Sequence, residues 1–558
     1  MPVRYVLLLL IALLLPTAVA QPVEIVVTDE VVRTIPADFY GIQYHRNTYS
    51  APVALAKLER LPFTSVRIWA YPRLFSPAPG VWDWSALDRE ISEVVAAGYA
   101  PIVCLFQGED WRTSTADDPW WNDATQHAAW TEAARALATR YADDVDTWIV
   151  YDEINYLHTD RPYYFPLNLS ATLYLDAARA IRDADPGSAI GGPSGFSGWE
   201  NGYWAARVLS FTDGPALLDF VSSNLFLSWN GDDSDATIMG RTIWYEEAPL
   251  KIRTQTAGHP DLRLMLDAYN VSALWTRDGT PTGELWTDPR NVDTFGGVVQ
   301  TAALLHAAQG GFDIALRWET LGGFGVLRWY PAFEERAPYY AWQLLAGPGR
   351  LMPGSTLLRT TTTAAPLPDL PHHSGVNVHG YDVQPFAMQD ETGVSIVLLN
   401  KTAEAQAVTV ERPAGMAGYM LYRFEDGRHA EALTPLEEGE AATLDLTLPA
   451  TSVTVVHYAA ATGTPAETTP ERTRPSLTIA PNPSIGPATL HLTLPEPASV
   501  CLDVRSALGR RIATLADEVR GAGTHALPLD TRGWAAGVYW ARLCAGADCT
   551  VRAFTVAR

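Results

Sequence analysis

Trp148-Ile149-Val150-Tyr151-Asp152-Glu153-Ile154-Asn155 is the stretch that decides how this chain folds. A short apolar strand, β-branched at Ile149 and Val150, runs into two adjacent carboxylates. A carboxylate in such a place is costly to bury unless it is paired or does chemistry. In an eight-stranded parallel barrel the C-terminal ends of the strands form the active-site face, so an acid there has a reason to exist. Glu153 therefore reads as a catalytic acid at the end of the fourth of eight strand-plus-helix units.

Outward from that strand, apolar runs of about five residues start near Phe39, Ser65, Pro101, Trp148, Ile190, Phe220, Leu262 and Ile314. Segments with helical spacing lie between them. One carries Leu87, Ile91, Val94 and Val95 and stops at Gly98. Others run Trp130, Ala133, Ala134, Leu137 to Tyr141, and Leu173, Ala177, Ala178, Ile181. Strands apolar on both faces and alternating with helices over about 300 residues predict a closed (β/α)8 barrel of the α/β class. An open doubly wound sheet alternates in the same way but carries a Gly-rich phosphate loop after its first strand. Here that strand ends Tyr40-Gly41-Ile42-Gln43-Tyr44-His45, without such a loop.

The flanks divide the rest of the chain. Residues 1–20 read as an export signal: Arg4, an apolar run from Val6 to Leu15, and the small-residue cleavage site Ala18-Val19-Ala20. That run is too short to span a bilayer, so the mature protein is expected to be secreted or held at the cell surface without a transmembrane segment. The barrel is expected over 21–350. A β-sandwich follows over 351–458, with alternating strands at Val394–Leu399, Val408–Val410 and Val453–Tyr458, and with Val23–Val27 joining it. A Thr-, Pro-, Ala- and Glu-rich linker covers 459–475, and an immunoglobulin-like β unit covers 476–558.

The net charge of -23 argues against nucleic acid, which needs a basic face. Lys57, Lys251 and Lys401 are the only lysines. The four cysteines make no disulfide framework. Cys104 reads as a buried apolar thiol, while Cys544 and Cys549 flank a hairpin loop with Cys501 as a rival partner. His45, His127 and His158 lack metal-ligand spacing, and no nucleotide or haem motif is present, so neither metal nor cofactor is expected.

The last unit resembles the C-terminal sorting domains of type IX secretion cargo. The resemblance rests on Pro481-Asn482-Pro483, Gly509-Arg510, Gly537-Val538-Tyr539 and a final strand near Val551–Val556. It implies export by a type IX-like secretion machinery, followed by release or surface attachment.

Gly80-Val81-Trp82-Asp83-Trp84-Ser85-Ala86-Leu87-Asp88 and Gly98-Tyr99-Ala100-Pro101-Ile102-Val103 resemble clan A glycoside hydrolases, most of all family 39, the xylosidase and iduronidase group. Val66-Arg67-Ile68-Trp69 matches the clan's arginine near the catalytic pair. Tyr151-Asp152-Glu153-Ile154-Asn155 overlies Trp-Asn-Glu-Pro-Asn, and Ala337-Pro338-Tyr339-Tyr340-Ala341 overlies the last barrel helix. The resemblance implies hydrolysis of a plant, algal or uronic-acid-containing glycan, with Glu153 as general acid/base.

Two departures bear on mechanism. Asp152 stands where the family has the Asn that contacts the substrate's 2-hydroxyl. In Leu264-Met265-Leu266-Asp267-Ala268-Tyr269-Asn270 the family's nucleophile Glu falls on Ala268, and alanine forms no glycosyl-enzyme intermediate. Asp267 is the first substitute, but side chains alternate along a strand, so it reaches the site only where the strand is bulged. Glu319 after Trp318, and Glu109 with Asp110, are the other candidates. Substrate contacts are expected from Arg67, Asp152, Asn224, Tyr269, Trp318 and Glu319, and Arg67 or Arg241 would pair a uronic carboxylate. Trp69, Trp111, Trp120, Trp121, Trp229, Trp275 and Trp318 lie where flat rings stack on sugars. Glu153 favours a glycosidase acting on an oligosaccharide or polysaccharide. Ala268 favours a barrel that only binds carbohydrate. The crowd of polar residues at the strand ends tips the reading to the enzyme.

Overall fold

The computed structural model describes residues 21–556 other than 79, 107–122, 155–165, 197–199, 230, 278–284, 330, 368–377, 462–475, 481, 483, 495–496, 507–510, 535–536 and 546–547. The expected export signal, most of the expected linker, Pro481, Pro483, Gly509-Arg510, His158, Glu109, Asp110, Trp111, Trp120 and Trp121 lie outside the described residues.

After β1 (Val23–Thr34) come β2 (Tyr40–Gln43), β3 (Ser65–Ala70), β4 (Ala100–Leu105), β5 (Thr147–Val150), β6 (Ala189–Phe196), β7 (Phe220–Ser228) and β8 (Arg263–Ser272). A hairpin of β9 (Trp275–Arg277) and β10 (Leu285–Thr287) separates these from β11 (Ile314–Arg317). Strands β2 to β8 and β11 close into a barrel in the order β11-β2-β3-β4-β5-β6-β7-β8. Every neighbouring pair in that ring is parallel. Each of the eight expected starts falls within one residue of a barrel strand, because a strand buried on both faces writes a continuous apolar run into the sequence.

The barrel is filled. Ile102, Cys104, Ile149, Phe220, Met265, Ile314 and Leu316 form one buried cluster on its axis. Gly41 makes room for it, since a Cβ there would fall 2.0 Å from Leu316 Cδ2 and 2.6 Å from Ser65 Oγ. The helices outside follow the expected stripes but for Val95: Ser85–Ala96 buries Leu87, Ile91 and Val94 and leaves Val95 exposed. Ala124–Tyr141 is capped by the Asp123 carboxylate, which accepts from the Thr125 backbone N–H, and buries Trp130, Ala133, Ala134 and Leu137.

Thr294–Gly310 is buried almost all round, capped by Asp293 and stopped at Gly311 with φ 107°. It is buried on nearly every side because a second layer covers it. That layer comprises β12 (Thr356–Thr362), β13 (Val383–Asp390), β14 (Gly393–Asn400), β15 (Gln406–Glu411), β16 (Met416–Phe424), β17 (Glu437–Gly439), β18 (Thr443–Leu448) and β19 (Ser452–Ala460). Its order is β17-β16-β19-β14-β13-β12-β1-β15-β18, so β1 pairs into it, antiparallel to β12 and parallel to β15. Phe386, Val397, Phe424 and Val455 from this sheet share one core with the barrel helices. Ile25, Ile396, Val408, Leu421 and Val456 form a second core.

A polar chain crosses that junction. Lys401 Nζ donates to Thr242 Oγ1 at 2.8 Å and lies 3.1 Å from His306 Nε2, while His306 Nδ1 lies 2.9 Å from Glu246. Burial pulls Lys401 down to about 7 although Glu246 opposes it. Burial and Lys401 together hold His306 at about 4, against its hydrogen bond to Glu246.

The last unit has its own core of Leu477, Leu490, Leu502, Leu543, Phe554 and neighbours. It contains a sheet of β20 (Ser476–Ala480), β21 (Pro487–Leu494) and β24 (Gly523–Asp530). A second sheet holds β22 (Ala498–Ser506), β23 (Arg511–Arg520), β25 (Gly537–Ala545) and β26 (Asp548–Val556). Register places Cys544 opposite both Cys501 and Cys549, and Cys501 and Cys104 are free thiols. No helix among the described residues is long and apolar enough to cross a membrane.

Candidate active site

The fourth barrel strand ends by breaking its own alternation. Ile149 faces the axis, whereas Val150 and Tyr151 both belong to the core shared with the helices. Tyr151 manages this with φ 82°, its hydroxyl donating to the Ser170 carbonyl at 3.0 Å and its ring stacked 5.5 Å from Trp130. Asp152 then turns into the barrel, and Glu153 follows with φ 49°. Ser194, at the end of the fifth strand, has φ 51°, and its carbonyl accepts from the Glu153 N–H at 3.1 Å. Three left-handed non-glycine residues on adjacent strand ends are backbone strain of the kind that clusters at functional sites.

Glu153 is half-buried, and Asn224 Nδ2 on the sixth strand donates to its Oε1 at 3.0 Å. Asn224 is itself buried, so this contact fixes the carboxylate against a rigid strand rather than a loop.

Below Glu153 lies a buried ion cluster. Arg67 on the second strand is fully buried, with an Nη2 2.8 Å from Asp152 Oδ1 and its Nε 3.3 Å from Asp267 Oδ1. Its guanidinium carbon stands 4.0 Å from the centre of the Trp69 ring. Burial works against its charge, but Asp267, Cys104 and Asp152 together outweigh it and hold the guanidinium above its ordinary range. Asp267, also fully buried, accepts from Ser194 Oγ. Burial raises its carboxyl to about 6, while Arg67 and Ser194 pull the other way and Asp152 adds to the rise.

Asp267 faces the axis by ordinary alternation, two residues on from Met265, and the seventh strand is bulged just there. On one side Ser223 and Asn224 pair with Leu266 and Ala268, skipping Asp267. On the other side Ala315 and Arg317 pair with Leu266 and Tyr269. Two residues oppose one, which is the geometry of a β-bulge. Asp267 sits inside the barrel in the floor of the site, and the bulge turns Tyr269, which unbroken alternation would also point inward, out into the core.

The eighth strand ends on Arg317, also fully buried and without a carboxylate partner among the described residues. It donates to Gln300 Oε1 at 2.6 Å, to the Phe324 carbonyl at 2.6 Å and to the Glu319 carbonyl at 2.8 Å. Burial lowers it to about 9. These bonds shape the loop that presents Trp318 and Glu319. Trp318 meets Trp69 edge-on at 5.9 Å, and Trp69 Nε1 donates to Gln43 Oε1 at 3.2 Å. Burial pushes the half-buried Glu319 up to about 8 although Arg317 opposes it.

Glu153, Asn224, Asp152, Arg67, Asp267, Trp318 and Glu319 thus gather at one end of the barrel. Tyr269 does not join them: it is fully buried in the core outside the barrel, edge-on to Tyr245 at 6.0 Å. Arg67 is occupied by two carboxylates, and Arg241 by Asp233 at 2.8 Å and the Trp244 face at 5.1 Å, so neither is free for a uronic acid. Around the rim Trp329 is 55% exposed and Trp275 62% exposed. Beside Trp69 a cavity of about 190 Å³ opens among Tyr44, His45, Tyr71, Phe75 and Glu90.

Sequence reasoning passed over Ser194, Gln43 and Arg317. The run Gly191-Gly192-Pro193-Ser194-Gly195 at a strand end and the single cation in Ile314-Ala315-Leu316-Arg317 were the signals available.

No protein-family model matches the sequence, and no curated protein matches it. Solved structures do share the fold. CelM2, a bifunctional glucanase-xylanase from a metagenome library, superposes with a TM-score of 0.56 at 15% identity, covering 79% of this chain and 99% of its own. A bacterial orthologue of human α-L-iduronidase gives a TM-score of 0.55 at 14% identity over 95% of this chain and 100% of its own. The α-L-arabinofuranosidase of Thermotoga maritima gives 0.56 at 14% identity over 78% of this chain and 100% of its own. At these identities the likeness is one of fold: a closed parallel barrel with a β-sandwich.

Proposed function

We propose that this chain is an exported glycoside hydrolase in which Glu153 is an acid/base carboxylate acting on a glycosidic bond. The observation that carries the reading is the presentation of Glu153: a left-handed residue at the end of a barrel strand, half-buried, and held by Asn224 at 3.0 Å. Strain and a dedicated donor on a carboxylate at the active-site face are features of a working acid or base. That glucanases, xylanases, arabinofuranosidases and iduronidases share the fold supports glycans as the substrate class. The aromatic rim of Trp69, Trp318, Trp275 and Trp329 suits sugar rings. Arg67 and Arg241 are both engaged, so neither of them supplies a contact for a uronic acid. Export rests on residues 1–20 and on the sorting-like C-terminal unit.

A second reading is a barrel that binds glycans without cleaving them. It is favoured by Ala268 and by the seventh strand's one carboxylate, Asp267, being closed into an ion cluster. Sugar release from a panel of oligosaccharides and polysaccharides by wild type and Glu153→Gln separates the two. The hydrolase reading expects release that Glu153→Gln lowers by roughly 10²-fold or more. Binding with no release from any substrate would leave the binder.

A further inference from the structure

Resting on the reading that Glu153 works on a glycosidic bond, we propose that Glu319 is the second carboxylate: the general acid, with Glu153 as base, in a single inverting displacement.

The seventh strand has no accessible carboxylate to contribute. Ala268 has no functional group, and Asp267 is fully buried with one oxygen facing Arg67 and the other taking the Ser194 hydroxyl. Glu319 is the opposite case. It follows the eighth strand on the same face as Glu153, is half-buried as Glu153 is, and its carboxylate makes no hydrogen bond or ion pair among the described residues. A partly buried carboxylate without partners costs free energy and contributes no bond to the fold. Its backbone, however, is pinned: Val326 N–H and Arg317 donate to the Glu319 carbonyl, and Asn270 Nδ2 to the Trp318 carbonyl at 2.6 Å. A backbone pinned on both sides fixes where this acid is presented.

Topology puts the two acids on opposed strands. In the ring of eight, the fourth and eighth strands stand opposite each other, whereas the fourth and seventh are only three apart. Inversion needs carboxyls about 6.5–9.5 Å apart to admit a water, and retention needs about 5–5.5 Å. The opposed pair suits the wider gap. An exposed indole borders the acid: Glu319 Oε1 and Trp329 Cζ2 lie 3.1 and 3.0 Å from the same point, where a Cβ on Gly322 would be. Trp329 there offers a face to the leaving sugar.

The surroundings assign the roles. Glu153 Oε1 accepts from Asn224, as the carboxylate of a base can, whereas Glu319 has no donor among the described residues and burial favours its neutral form. In the step, the Glu319 proton passes to the glycosidic oxygen as the C1–O bond breaks and its electron pair leaves with the departing sugar. A water oxygen bonds to C1 from the other side and gives its proton to Glu153. Proton exchange with solvent restores both groups, and no further reactant is needed.

The test compares wild type, Glu319→Gln and Glu153→Gln on a natural oligosaccharide and on a 2,4-dinitrophenyl glycoside of the same sugar, with the first-formed anomer followed by NMR. A dinitrophenolate leaves without protonation. Glu319→Gln is therefore expected to lose about 10²–10⁴-fold on the oligosaccharide and little on the activated substrate, which also shows that it is folded. Glu153→Gln is expected to lose on both, and the product anomer is inverted. A retained anomer, equal losses of Glu319→Gln on both substrates, or full activity on both would overturn this proposal and leave the hydrolase reading standing. No release by wild type from either substrate would overturn both.

Discussion

Arg67 Nε lies 3.3 Å from Asp267 Oδ1 at a depth where neither side chain touches solvent. The same guanidinium holds Asp152 at 2.8 Å, so one cation neutralises two acids contributed by the fourth and seventh strands. The cluster ties three strands together under Glu153, and its members depend on one another.

Removing the cation strands two buried carboxylates. Arg67→Ala is expected to cost about 3–5 kcal/mol, the usual penalty for breaking a buried ion pair from one side. Asp267→Asn leaves the Arg67–Asp152 pair intact and puts a neutral isostere where burial already favours the neutral form, so it should cost less than Arg67→Ala. Urea unfolding of both variants checks the ranking. An Arg67→Ala variant less perturbed than Asp267→Asn would contradict it.

Asp267 also makes stability depend on pH. Its folded value is about 6 against an ordinary 3.8. Between those values the folded chain keeps a proton that the unfolded chain has released. This group's contribution to stability is therefore present at low pH and falls as pH rises from about 4 to 6, by about 3 kcal/mol at ~1.4 kcal/mol per unit. Subtracting the Asp267→Asn stability curve from that of wild type over pH 4 to 7 should isolate this downward slope.

Lys401 slopes the other way. Its folded value is about 7 against an ordinary 10.5, so above pH 7 the unfolded chain holds a proton that the folded chain has lost. Stability from this group rises with pH across that window. Lys401→Met should remove the rise between pH 7 and 9. At pH 7 the variant should be as stable as wild type or more so, because apolar replacement of a buried charge is often neutral or favourable. Thermal unfolding at pH 7, 8 and 9 distinguishes this from a stabilising lysine, whose loss would lower Tm throughout.

Asn224 acts through Glu153. Loss of a hydrogen bond to a charged group is worth about 1.5–3 kcal/mol, so Asn224→Ala should lower kcat about 10- to 100-fold. Unchanged kinetics in a folded variant would remove Asn224 from the site.

Gly41 is constrained by the barrel axis rather than by its backbone. A Cβ there meets Leu316 at 2.0 Å and Ser65 at 2.6 Å. Gly41→Ala should cost about 1–3 kcal/mol through overpacking, and pairing it with Leu316→Ala should recover part of that loss. A loss that the second change leaves untouched would place the strain elsewhere.

The sequence alone determined the barrel, because strands buried on both faces leave apolar runs and the helices between them leave stripes such as Leu87, Ile91 and Val94. It also marked Glu153, since a carboxyl pair ending an apolar strand stands out without any neighbour in view. What each acid faces was not legible. Asp152 and Glu153 are adjacent in the chain, yet the left-handed turn at Tyr151 sends one into the floor with Arg67 and leaves the other under Asn224. Tyr269, three residues before Ser272 at the end of its strand, looked like a substrate contact and turns instead into the core. Only the tertiary structure decided these points. A bulge, a positive φ and the pairing of strands distant in sequence set side-chain direction and burial, and neither follows from residue type: the bulge at Asp267 shows only in its register against the two neighbouring strands.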